Sequence, residues 1–127
     1  EIVIMDMEAG LEHLGRGTTR RMDSMLVVVE PGMKSIETLR RIRRLASELE
    51  IREVLAVGNK IRNEDERRFI EESVREADIP VAAYIPYDPM VVEADLQGRS
   101  PLDIDDRSPA IASISNLKEY LKERYKF

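Results

Sequence analysis

Residues 2 to 10 read Ile-Val-Ile-Met-Asp-Met-Glu-Ala-Gly, an unbroken apolar run entering an Asp-x-x-x-Gly segment. Unbroken rather than alternating apolarity marks a strand covered on both faces, as in parallel sheets flanked by helices. Ile2 to Met5 is therefore expected to be a buried strand, with Asp6 leaving its carboxyl end. Ligands of open α/β sheets bind beyond that end of the strands, which makes Asp6 and Gly10 candidate functional residues.

The same pattern continues along the chain. Residues 7 to 19 form a loop carrying Gly10, Gly15 and Gly17, a helical turn is expected around Thr18 to Met22, and Met25 to Val29 is a second unbroken apolar strand. After Glu30-Pro31-Gly32, Ser35 is expected to cap a helix to about Leu49. Ile36, Leu39, Ile42, Leu45, Ala46 and Leu49 form its apolar stripe. Val54 to Val57 gives a third strand ending at Gly58-Asn59-Lys60. Asn63 and Glu66 form a capping box for a helix to about Glu76, and Val81 to Ile85 gives a fourth strand. Asp88-Pro89 and Ser108-Pro109 each pair a helix cap with a first-turn proline, one helix closing at Gly98 and the other near Tyr125. Residues 99 to 107 read as a short linker. Strand–helix alternation of this kind predicts an α/β fold with a parallel sheet.

At 127 residues the chain is one domain at most, and its 43% apolar content is that of a globular protein. No apolar run approaches the roughly 20 residues of a membrane span, and no signal peptide is read, so no membrane partner is expected and the cytoplasm is the expected compartment. With 20 basic and 25 acidic residues the net charge is −5, which argues against nucleic acid as a partner. There is no cysteine, which excludes disulfides and thiolate metal ligands from within these residues. Beginning with Glu1 directly on a strand fits a fragment or a processed product.

Three loops follow carboxyl ends of strands, and each carries candidate chemistry. In the first, Asp6 is placed to hold Mg²⁺ through water, and Gly10 lets a backbone N–H approach a γ-phosphate. The alternative is a turn-capping aspartate with a glycine at positive φ. In the second, Asn59-Lys60 resembles the Asn-Lys-x-Asp base-reading motif, but the fourth position is Arg62. Guanine reading needs a carboxylate acceptor where a guanidinium offers only donors, so adenine is preferred. An asparagine in a plain strand-end turn remains the alternative. In the third, Ile85-Pro86-Tyr87-Asp88 is placed to frame an adenine ring, although a helix start alone would account for Asp88. His13 reads as a loop residue. Arg40, Arg41, Arg43 and Arg44 read as a solvated face paired along the helix with Glu37 and Glu48.

The run Asp6-Met7-Glu8-Ala9-Gly10-Leu11-Glu12-His13-Leu14-Gly15-Arg16-Gly17 resembles the switch II segment of CooC-type ATPases. These are nickel-insertion factors for carbon monoxide dehydrogenase within the MinD/ParA group of deviant-Walker P-loop NTPases. The likeness continues through Val28-Val29-Glu30-Pro31-Gly32, Gly58-Asn59-Lys60, Ile85-Pro86-Tyr87-Asp88 and Glu93-Ala94-Asp95, and covers most of residues 1 to 103. It implies a P-loop NTPase domain of which residues 1 to 127 are the C-terminal part. It further implies ATP or ADP with Mg²⁺ as cofactors, Asp6 serving Mg²⁺ through water, Gly10 facing the γ-phosphate, and Asn59 and the Pro86 loop lining adenine. Asp88 is counted with that loop. Dimerisation, nickel delivery to an apo-carbon monoxide dehydrogenase, and a switch II loop reporting nucleotide state are implied as well. A MinD/ParA-type partner switch and a nucleotide-independent scaffold are the alternatives.

Two family features are absent from these residues: the P-loop with its lysines, and the Cys-x-Cys nickel site. The chain alone is therefore expected neither to hydrolyse ATP nor to hold nickel in the family's way. In the implied topology the P-loop strand lies between the Asp6 strand and the Met25 to Val29 strand. Without it, unpaired apolar edges are expected to recruit the missing N-terminal half or a second copy, as a homodimer or a domain-swapped oligomer.

Overall fold

A computed structural model of the chain describes residues 1–6 and 22–127. The described residues form a three-stranded parallel sheet in the order β1-β2-β3. The strands are β1 (Ser24–Val29), β2 (Glu53–Ile61) and β3 (Val81–Pro86). Helices α1 (Met33–Glu48) and α2 (Glu64–Glu76) connect them, and α3 (Pro89–Leu96), α4 (Pro101–Ile104) and α5 (Pro109–Tyr125) follow. Right-handed crossovers place α1 and α2 on one face of the sheet, while α5 packs along β3.

The core lies between that face and its helices. Val27 and Val29 of β1 and Val54 and Ala56 of β2 meet Leu39 and Ala46 of α1 and Ile70 and Val74 of α2. On β2 the intervening Leu55 and Val57 are buried too, so this central strand is covered on both faces. β1 is covered on one face only: Leu26 and Val28 are 40% and 59% exposed. Its unbroken apolar sequence therefore marks a strand with one face uncovered among the described residues.

The helix signals act locally, as their chemistry requires. Asn63 caps α2 by accepting from the Glu66 N–H at 2.9 Å, and the Glu66 carboxylate accepts in return from the Arg62 N–H at 2.7 Å. Gly98, at φ +64, follows α3 in the left-handed conformation that glycine adopts freely.

Five expectations need correction. Ser35 does not cap α1: the helix starts at Met33 with Gly32 at its N-cap and no side-chain cap bond, and the Ser35 hydroxyl, inside the first turn, accepts instead from the Glu30 N–H at 2.9 Å. Ile2 to Met5 is not a strand: the segment has no regular structure and its side chains are 47–90% exposed. A strand exists only with a neighbour, and none of the described strands pairs with it. β2 runs on to Ile61 because β3 continues to pair with it past a bulge. Residues 99 to 107 contain the turn of helix α4, capped by the Ser100 hydroxyl accepting from the Leu102 N–H. On α1, Arg40 bridges to Glu76 of α2 at 3.4 Å, and no ion pair with Glu37 or Glu48 forms among the described residues. Each such exposed pair gains little, so a basic side chain on α1 can turn to an acid of the neighbouring helix as readily as to one on its own. The loop and helical turn expected over residues 7 to 21 lie outside the described residues.

Candidate functional site

Parallel pairing sends the carboxyl ends of all three strands to one edge, where Asn59 in the last residues of β2 and Pro86 at the end of β3 lie. The pairing shifts register between Gly58 and Ile61, and Lys60 takes φ +54. This bulge lifts Asn59 and Lys60 out of the regular ladder at the edge. Asn59 is half-buried, and its side chain has no hydrogen-bond partner among the described residues. Lys60 reaches across to Glu30, 3.1 Å away, linking the bulge to the turn after β1.

Beyond the bulge, Ile61 pairs with Pro86, and the Tyr87 N–H donates to the Ile61 carbonyl at 2.9 Å. This bond holds the turn after β3 against the end of β2. Tyr87 is 39% exposed, with the Arg62 guanidinium 4.9 Å from its ring centroid. Three residues back along β3, the Tyr84 ring centroid lies 4.7 Å from the guanidinium of Arg67 on α2. Gly58 makes room for that ring: a Cβ there would stand 3.0 Å from Tyr84 Cδ1 and 3.1 Å from Ile61 Cδ1.

Asp88 is 8% exposed and fully engaged. One carboxylate oxygen accepts from the Met90 N–H and the other from the Ala110 N–H, both at 3.0 Å. The Ala110 N–H foremost, with the Met90 N–H, lowers its pKa from the ordinary 3.8 against the opposing effect of burial. The structure thus gathers Asn59, Pro86 and Asp88 at one edge. Asp6 ends the exposed segment that takes no part in the sheet, and Gly10 lies outside the described residues. No group of three metal-ligating side chains occurs among the described residues.

No protein-family model matches the chain. An uncharacterized ATP-binding protein of Methanocaldococcus jannaschii is 38% identical over 121 residues, 95% of this chain and 46% of that protein. The carbon monoxide dehydrogenase accessory protein CooC of Rhodospirillum rubrum is 37% identical over 110 residues, 87% of this chain and 40% of CooC. The MinD cell division protein of Aquifex aeolicus superposes with a TM-score of 0.71 at 25% identity, covering 83% of this chain and 46% of that one. The chain is a homologue of CooC with the MinD/ParA fold. It spans less than half the length of these relatives. In this CooC homologue, as in P-loop NTPases generally, the strand ends converge on one edge. No helix among the described residues is long and apolar enough to cross a membrane.

The Arg62–Tyr87 stack, the Lys60–Glu30 bridge and the second partner of Asp88 escaped the sequence reading. For Arg62 the sequence showed a departure from a base-reading motif, and its ring partner follows only from strand register. For Asp88 the signal was shared: the Asp88-Pro89 and Ser108-Pro109 helix starts are separate in sequence, and nothing in their spacing says that Asp88 also serves Ala110, 22 residues on.

Proposed function

We propose that residues 1 to 127 are the C-terminal, base-binding part of the P-loop NTPase domain of an ATP-dependent CooC-like maturation factor, one that delivers nickel to carbon monoxide dehydrogenase. The observation carrying this reading is the identity with CooC over nearly nine tenths of the chain. The edge geometry supports the nucleotide part of it. Asn59 has an amide with no hydrogen-bond partner among the described residues, it lies in the β2 bulge whose far end, Ile61, pairs with Pro86, and the Tyr87 ring that follows Pro86 is exposed. Such an amide can both donate to and accept from an adenine edge.

In this reading Asn59 and Pro86 line the base, and Arg62 disfavours guanine because its guanidinium cannot accept from the ring N–H groups. Asp6 serves Mg²⁺ through water, which suits an ion that keeps much of its hydration, and Gly10 faces the γ-phosphate. ATP with Mg²⁺ supplies the energy-linked change of state. Nickel is the cargo, and because the chain has no cysteine its thiolate ligands come from outside these residues. The complete protein acts as a dimer in the cytoplasm, with the apo-dehydrogenase as its client.

The test is activation of apo-carbon monoxide dehydrogenase by nickel in the presence of the full-length gene product, with and without ATP. ATP-dependent activation that Asn59→Ala weakens about tenfold is expected, the worth of one or two lost hydrogen bonds. ATP-dependent dimerisation without activation of the dehydrogenase would overturn nickel delivery and leave a partner switch.

A further inference from the structure

Deepening the nucleotide reading just given, and resting on it, we propose that Asp88 is a positioning residue whose carboxylate locks the Pro86–Tyr87 turn to the N-terminus of α5. The helix thereby sets where the base-side loop stands.

The geometry leaves Asp88 little else to do. Both oxygens accept backbone N–H groups from different helices, and its 8% exposure leaves little surface for a ligand. The Met90 bond is local and caps α3. The Ala110 bond is not local. The α5 N-cap residue, Ser108, makes no side-chain cap bond, and Asp88 satisfies the first turn of that helix from 22 residues away. A helix end left without such a partner in a buried setting is costly, so the contact constrains both partners.

The far end of α5 is held as well. Glu53, at the amino end of β2, accepts from the Arg124 guanidinium and the Tyr125 hydroxyl in the last turn of the helix. With 17 residues, α5 reaches about 25 Å. It is a strut fixed at both edges of the sheet and packed along β3 between them. A turn tied to that strut inherits its position, and a force on α5 is felt two residues from Pro86.

Asp88→Asn tests this selectively. The amide oxygen still caps α3, while the new NH₂ cannot accept from Ala110. Ala110→Pro deletes the same N–H from the first turn of α5, where proline is tolerated, and leaves Asp88 itself unchanged. In the nucleotide-free full-length product, both variants are expected to speed amide exchange at Ile85 and Tyr87 about tenfold, with Leu55 and Ile70 in the core unaffected. With Mg²⁺ present, both are expected to bind ATP about tenfold more weakly yet bind tripolyphosphate, which lacks a base, as the parent does.

Unchanged exchange in both variants overturns the lock. Faster exchange with parent-like ATP affinity overturns its link to the base. Loss of ATP affinity in Asp88→Asn but not in Ala110→Pro overturns positioning in favour of direct contact. A parent protein that binds tripolyphosphate but gains nothing from the base overturns the base-site reading, and with it this role for Asp88, even where exchange shows the lock.

Discussion

Glu53 shows how much one side chain can connect. Its carboxylate takes the Arg124 guanidinium through two hydrogen bonds and the Tyr125 hydroxyl through a third. The Arg124 bonds foremost, then Tyr125, lower its pKa from the ordinary 4.5 to about 2. Because the folded-state pKa is depressed, this stabilisation is complete above the unfolded value and is lost as pH falls from about 4.5 through about 2. Asp88 is shifted in the same direction and adds to the same acid limb. The melting temperature should therefore fall across that range, and Glu53→Gln should flatten part of the fall and lower the melting temperature at pH 7 by about 3 °C. Thermal melts from pH 2 to pH 7 check both. Gly58 offers a contrasting case. An added methyl there would press on Tyr84 and Ile61, so Gly58→Ala should cost about 1–2 kcal/mol in urea denaturation.

At the scale of elements, what was legible in the sequence was what is decided locally. Asn63 with Glu66, Asp88-Pro89 and the three-and-four spacing of Ile36, Leu39 and Ala46 each act within a turn or two, and α1, α2 and α3 stand where they point. Asn63→Ala should remove the α2 cap at a cost of about 1 kcal/mol, read as a shifted urea midpoint with an unchanged slope. Ile2 to Met5 failed because a strand is a property of a pair, and composition cannot supply the partner. The extension of β2 past Gly58 had the same origin, since its last residues are strand only because Pro86 faces Ile61. Helix α4 was different: Ser100-Pro101 is the same device as Ser108-Pro109, and the signal stood in the sequence unread.

For the molecule as a whole, the parallel order of the strands follows from strand–helix alternation, and it brings the Asn59 and Pro86 loops to one edge. The site's internal wiring was not legible. Asp88 to Ala110 and Glu53 to Arg124 join residues 22 and 71 positions apart, distances over which no spacing rule operates. One face of β1 stays uncovered among the described residues, with Leu26 and Val28 outward. The polypeptide of these 127 residues is expected to self-associate through that strand. Val28→Lys should shift it toward monomer in light scattering while changing its own stability by less than about 0.5 kcal/mol.

The Arg62–Tyr87 stack has a spectroscopic corollary. The chain contains four tyrosines and no tryptophan, so phenolic emission from these residues is not masked by indole. Tyr84 and Tyr87 lie beneath guanidinium groups at the carboxyl edge, while Tyr120 and Tyr125 belong to the last turns of α5. Half of the fluorophores thus watch the edge that the proposed function assigns to the base, and half watch the opposite end of the strut. Within this chain, quenching assigned by Tyr→Phe exchange would report occupancy of the edge and movement of the helix as separate, label-free signals.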